Sequence, residues 1–329
     1  WSRGLGDVYK RQNKGSADTS KTLAFLDDNK TLIMQPSATT WNDRLSVLEL
    51  VDSDLGNKLK LIPGYRLTHD PGSIKMPLLG VDNAKKIALS YDKKLLAAYE
   101  VGFTIYVYDT DTWQVVNHLY VTYKDLPQIE GRNEKQNNPQ EINSFNFSPD
   151  GRFLIAGLGA NGFVKLDLKN GQNNFTYHAL YETPKIDYTY STRFHSIKDI
   201  KYHPNGRYIA AASGYNFEYH AGDNLTKENA TLKIYDIESN KIIAENVDSA
   251  TGYEYLEWSS DGEYLLTIAV GMPNIRIFKF SNGSLIPVMQ RQFYEYIYFA
   301  QFVPNSHKIA VPFNDQIDIY KLSTPASVQ

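Results

Sequence analysis

The chain has 329 residues, 42% of them hydrophobic and 22% charged, with a formal net charge of −3 and no cysteine. This mildly acidic balance, without any basic run, gives no general attraction for nucleic acid or an anionic membrane surface. The missing cysteine excludes disulfides, thiolate zinc sites and a cysteine nucleophile, and no apolar stretch approaches the ~20 residues of a membrane span.

Residues 1–12, WSRGLGDVYKRQ, read like translated sequencing adapter and are set apart as non-native. Residues 13–329 then form one domain, expected to be truncated at its N-terminus. The lack of cysteine leans toward an exported bacterial protein.

From there one unit repeats along the chain. It first shows weakly at Phe25-Leu26-Asp27-Asp28, followed by an alternating strand from Leu45 to Leu50 and a long connection from Tyr65 to Pro77. The second copy turns at Leu89-Ser90-Tyr91-Asp92, with a strand from Ile105 to Asp109 and a connection from Tyr123 to Gln140. The third is the clearest. Phe145-Asn146-Phe147 meets Ser148-Pro149-Asp150-Gly151 and continues as Phe153-Leu154-Ile155-Ala156. Proline presets φ for the turn and glycine tolerates positive φ. A strand from Val164 to Leu168, the turn Asn170-Gly171 and a connection from Tyr181 to Phe194 complete the unit.

The fourth copy turns at His203-Pro204-Asn205-Gly206, carries a long insertion from Tyr215 to Glu228, and resumes with strands Leu232 to Ile237 and Lys241 to Glu245. The fifth turns at Ser259-Ser260-Asp261-Gly262, with a strand from Ile275 to Phe280 and the turn Asn282-Gly283. The sixth turns at Phe302-Val303-Pro304-Asn305 and shows a strand from Ile317 to Leu322, but no clear fourth strand. Short strands, no helical periodicity and six copies of one four-strand unit (a, b, c, d) predict an all-β propeller of six visible blades, six or seven when intact. An unfinished last unit predicts an imperfectly closed seam.

The Ser-Pro-Asp-Gly turn and the Ile234-Tyr235-Asp236 ending resemble WD-repeat blades, over roughly residues 20 to 322. The Trp-Asp that ends strand c in that family is replaced here by Tyr108-Asp109, Leu166-Asp167, Tyr235-Asp236 and Phe278-Lys279. The resemblance implies a propeller that binds a protein or peptide.

Loop length points to where. In such a blade the a–b and c–d turns share one end, and the b–c and d–a connections share the other. All four long connections fall on the second end, and long loops on a rigid frame are where binding residues concentrate. The residues expected to bind there are Trp41, Arg66, His69, Asp70, Tyr123, Tyr188, Tyr190, Arg193, His195, Tyr219, His220 and Tyr253. Tyrosine and arginine suit such anchors, offering large contact area with a polar tip.

Catalytic signals are weak. His69-Asp70 and His220-x-x-Asp223 are possible ligand pairs, but a metal needs three or four converging donors, so no metal and no cofactor are expected. Gly157-x-Gly159-x-x-Gly162 matches a dinucleotide fingerprint only on paper, because it joins two strands with no helix behind it. The paired Asp109 and Asp111 sit where aspartate is ordinary turn chemistry. A lactonase- or hydrolase-type enzyme with a site in the central channel, and an exported carbohydrate-binding propeller using Trp41, Tyr188 and Tyr219, are the alternatives to a partner-binding platform.

Overall fold

A computed structural model describes residues 86–99, 103–112, 114–127, 139–159, 161–181, 196–213, 230–248, 252–269, 274–293, 297, 300–313 and 316–322. It also describes strand backbones at 23–25, 30–35, 44–51, 58–66, 217–218 and 226–227. The strands form successive antiparallel sheets, and consecutive strands are neighbours within each sheet. The first sheet is β1 (Leu23–Phe25), β2 (Lys30–Gln35), β3 (Arg44–Val51) and β4 (Lys58–Arg66). The second is β5 (Lys86–Leu89), β6 (Leu95–Tyr99), β7 (Thr104–Asp109) and β8 (Val115–Tyr120). The third is β9 (Ile142–Phe147), β10 (Phe153–Leu158), β11 (Gly162–Asp167) and β12 (Phe175–Ala179).

The fourth sheet is β13 (Ile197–Tyr202), β14 (Tyr208–Ser213), β17 (Ala230–Asp236) and β18 (Lys241–Asp248). A separate hairpin, β15 (Phe217–Glu218) with β16 (Thr226–Lys227), interrupts it between its second and third strands. The fifth is β19 (Tyr255–Trp258), β20 (Tyr264–Ala269), β21 (Asn274–Ser281) and β22 (Ser284–Gln292). The sixth, β23 (Gln301–Phe302), β24 (Lys308–Phe313) and β25 (Gln316–Lys321), has three strands among the described residues.

The a–b turns explain why the repeat reads so clearly. Gly151, Gly206 and Gly262 have φ of +68°, +76° and +74°. Each donates its N–H to the carbonyl three residues earlier, at 2.9 Å. Ser90, Ser148 and Ser259 then do two things at once. Each hydroxyl donates to the turn aspartate (Asp92, Asp150 or Asp261) and accepts the N–H that opens the next strand. In the fourth blade His203 takes the serine's place. Its Nδ1 accepts the Asn205 N–H at 3.1 Å, while its Nε2 lies 3.0 Å from the Gly262 carbonyl, joining the fourth blade to the fifth.

The aspartates ending strand c cap the c–d turn, as turn chemistry requires. Asp109 accepts from the Asp111 and Thr112 amides, Asp167 from Lys169, and Asp236 from Glu238. Arg152 and Arg207 cross from the neighbouring a–b turn to pair with Asp167 and Asp236 at 3.0 and 2.7 Å. At the position of the absent tryptophan, the Tyr235 hydroxyl bonds Asn240 and meets His178 Nδ1 of the third blade at 3.0 Å.

The core lies between sheets. Tyr99, Ile105, Val107 and Leu119 of the second blade pack on Phe145, Phe147, Leu154 and Leu166 of the third. Similar clusters join the third blade to the fourth, the fourth to the fifth and the fifth to the sixth. A sheet covered on both faces needs apolar residues on both, so the second strands read as near-continuous runs such as FLIAGL and YLLTIA. Each fully buried large side chain contributes roughly 1.5–3 kcal/mol. Gly157 and Gly162 are packing residues: a Cβ on Gly157 would press into Ile197 of the next blade, and one on Gly162 into the His178 carbonyl and the Tyr177 ring.

Candidate functional site

The antiparallel meander separates two ends of each blade. The a–b and c–d turns sit at one end and are short throughout the described blades. The b–c and d–a connections sit at the other. Three d–a connections are long: from Arg66 to Lys86, from Tyr120 to Ile142 and from Ala179 to Ile197. The b–c connection of the fourth blade, from Ser213 to Ala230, carries the β15–β16 hairpin, whereas those of the second, third and fifth blades are short.

Most residues expected to bind lie outside the described residues: His69, Asp70, Tyr188, Tyr190, Arg193, His195, Tyr219 and His220 within these connections, and Trp41 in the b–c connection of the first blade, between Gln35 and Arg44. Arg66 closes β4, and only its backbone is described. Tyr123 opens a single 3-10 turn (Tyr123–Asp125), half-buried at the start of its connection. Asp125 folds back on Thr122 there, accepting its amide at 2.8 Å and its hydroxyl at 2.6 Å. Tyr253 differs from expectation. It is fully buried, packed with Ala210, Leu232 and Phe278, and its hydroxyl donates to Asn246. It sits at the loop-bearing end but belongs to the core between the fourth and fifth blades, because an apolar cleft between two sheets takes up the ring.

Beneath the same end lies a polar layer that loop reading misses. The Tyr181 hydroxyl bonds Thr231, and Ser213 Oγ accepts the Thr231 amide at 3.0 Å. Lys233 Nζ lies 4.2 Å from the centre of the Tyr181 ring and 3.3 Å from Glu245. Arg276 Nη1 donates to the Tyr253 hydroxyl at 3.4 Å. Burial pushes the Tyr181 hydroxyl above its ordinary pKa, against the pull of Ser213 and Thr231. Ser213, Thr231, Lys233, Glu245 and Arg276 come from strands, and Tyr181 and Tyr253 lie two residues beyond strand ends. They stiffen the base from which the connections emerge.

A second constellation lies at the ring axis. The first strand of each blade neighbours the first strand of the next, from β1 through β5, β9, β13 and β19 to β23. Every first strand therefore has an edge with no strand partner inside its own sheet. In β13 and β19 side chains of the preceding blade bond to it. Asn146 Oδ1 accepts the Tyr202 amide at 3.0 Å, Ser144 Oγ the Ile200 amide at 3.3 Å, and Asp199 Oδ2 the Leu256 amide at 2.8 Å. Asp199 also accepts the Ser144 hydroxyl and its neighbour's amide, from Ile200 at 2.9 Å. One carboxylate thus ties three blades together.

Around Asp199 gather Lys86, Lys201, Tyr255 and Glu257. Lys201 Nζ is 3.9 Å from Asp199. Burial pulls Lys201 down, but Asp199 and Glu257 outweigh it and its pKa is raised. Lys86 donates to the Asn143 carbonyl, and desolvation lowers its pKa despite Asp199 nearby. Burial lifts the Glu257 carboxyl to about 7, Asp199 adds to the lift, and Lys201 and the Tyr255 hydroxyl only partly offset it.

Among the described residues, the opposite end has one group with ligand geometry. Single donor atoms of Asp261, Glu263 and His307 lie within 4.8 Å of one another. His307 Nε2 is 2.6 Å from Asp261 Oδ2, while Asp261 Oδ1 holds Ser259 and the Glu263 amide. Burial would raise Asp261, but these partners hold it at about 2. Asp261 and His307 sit on different blades, so no sequence spacing announces them. With both carboxylate oxygens of Asp261 engaged, the group works first as a tie between the fifth and sixth blades.

Comparison with known proteins agrees with this architecture. Residues 133–166, covering the first three strands of the third blade, match the WD domain, G-beta repeat family. Among solved structures the chain is similar to the Cps50 (Swd1) β-propeller domain of Myceliophteria thermophila, with a TM-score of 0.55 and 12% identity over 93% of this chain and 86% of that one. No curated protein sequence matches the chain.

Proposed function

We propose that this WD-repeat propeller is a non-catalytic binding platform that holds a protein or peptide partner on the end carrying its long d–a and b–c connections. Propellers of this type typically act as protein-interaction scaffolds. The observation that carries the reading is the asymmetry of the two ends. Short turns are tied down by serine, aspartate and arginine at one end, and extended connections with their own hairpin rise from the other. Insertions without a role would spread over both ends. Trp41, Arg66, His69, Asp70, Tyr123, Tyr188, Tyr190, Arg193, His195, Tyr219 and His220 are the proposed anchors. Tyr253, buried between the fourth and fifth blades, is not one of them.

A peptide-display selection on the immobilised chain tests this. Enriched peptides should lose binding when residues 214–229 are replaced by a short Gly-Ser turn, and keep it when Arg152 and Arg207 become alanine. Binding that survives the replacement and disappears with the arginines would overturn the assignment of the face.

A further inference from the structure

The axial constellation has a mismatch between hydrogen-bond donors and acceptors. Each lysine ammonium carries three donors, and an ionised carboxylate only accepts. Among the described residues, Lys86 Nζ has one hydrogen-bond acceptor, the Asn143 carbonyl. Lys201 Nζ has its nearest carboxylate oxygen at 3.9 Å, beyond hydrogen-bond length, and lies 5.9 Å from the Tyr255 ring centre. The oxygens of Asp199 are already engaged. Asp199 receives Ser144 and the Ile200 amide on one oxygen and the Leu256 amide on the other. Glu257 has the Tyr255 hydroxyl close by. Two ammonium groups therefore hold unused donors toward an axis that is not sealed: the Lys201 side chain keeps 25% of its surface open. Unused charged donors in a partly desolvated place are costly unless an acceptor fills it.

We propose that the ring axis between Lys86 and Lys201 is a binding site for a small oxyanion, either a carboxylate or a phosphate. A cation does not fit, because the two ammonium groups would repel it and both oxygens of Asp199 already accept from the protein. An oxyanion brings the missing acceptors, and charge-assisted bonds to ammonium are among the stronger ones available. Lys86 comes from the second blade and Lys201 from the fourth, so the ligand would bridge two blades that do not adjoin.

Glu257 tunes the site. It faces Lys201 and Asp199 of β13, Tyr255 on its own strand and Tyr91 from the β5–β6 turn. Lys86 in turn faces Asp199, Lys198, Lys201 and Glu141. Ionised Glu257 competes with the ligand for Lys201 and repels it. Once protonated near neutrality, Glu257 does neither, so affinity should rise as pH falls through that range.

The test is a thermal-stability titration of the whole chain with inorganic phosphate and, separately, succinate, with sodium chloride matching ionic strength. At least one anion should raise Tm saturably, and which one does identifies the source. Lys86→Met and Lys201→Met should each weaken that binding roughly tenfold or more with circular dichroism unchanged. Lys86→Met decides if Lys201→Met, which leaves Asp199 without its counter-charge, fails to fold. Glu257→Gln should give, at about pH 8, the affinity that the unmodified chain shows at about pH 6. The proposal is overturned if neither anion binds saturably, if Lys86→Met binds as tightly as the unmodified chain, or if affinity ignores both pH and Glu257→Gln.

Discussion

In the four-stranded blades the first and fourth strands are both edge strands of the same sheet, yet they live in different surroundings. At the axis, β9 (INSFNF) and β13 (IKDIKY) show the burial pattern buried, intermediate, buried, buried, intermediate, buried. At the rim, β22 (SLIPVMQRQ) has no buried residue at all and includes Ile286 at 50% exposure. At the axis polar residues are enclosed and bonded across blades, while at the rim apolar residues face water. The rim also tolerates Pro287, because an outer edge has no partner for the lost N–H. What decides the fate of a side chain here is the radius at which its strand sits, more than its hydrophobicity.

The largest expected effect sharpens that contrast. Asp199→Ala should cost about 3–5 kcal/mol in urea unfolding, because it orphans donors on three blades and leaves Lys201 uncompensated. A cost near that of a surface substitution would break the comparison. Next comes packing between strands. Gly162→Ala forces a methyl into the Tyr177 ring and the His178 carbonyl, and about 1–3 kcal/mol should be lost in the same assay.

A pH effect follows in size. Glu257 has a folded pKa of about 7, above the ordinary carboxylate value of 4.5. The folded state therefore binds its proton more tightly than the unfolded chain. That contribution is fully present below about 4.5 and is lost as pH rises through 7. Between about pH 5 and pH 8 the unmodified chain should lose roughly 1–3 kcal/mol more than Glu257→Gln. Equal slopes in stability against pH would remove Glu257 from the buried axis. The smallest effect belongs to the rim: Ile286→Ser should change stability by no more than about 0.5 kcal/mol although it removes a large apolar side chain. A loss of several times that would mean this rim is covered.

The same contrast explains how much could be read from the sequence. The Ser-Pro-Asp-Gly turns and the Tyr-Asp endings of strand c are local chemistry, fixed by neighbours a few residues away, and they sit where their residues indicate. The third strands lie within a residue or two of the expected bounds, as with Ile275 to Phe280 against Asn274–Ser281. His203 was legible as a turn residue, but its bond to Gly262 was not, since that partner lies in another blade. Asp199, Lys201 and Glu257 were illegible for a more general reason. Alternating polar residues on a short strand look like a solvent face, and only closure of the blades around an axis encloses them. Tyr253 failed in the opposite direction, because its place beside a loop suggested exposure and the inter-blade cleft buried it. The β15–β16 hairpin hides within what reads simply as a long insertion.

The most direct measurement of the central claim is hydrogen exchange on the free chain and on the chain bound to a display-selected peptide. The account predicts new protection in residues 182–196 and 214–229, with the a–b turns at 148–152 and 203–207 unchanged. Protection concentrated in those turns, with the long connections exchanging as before, would contradict it.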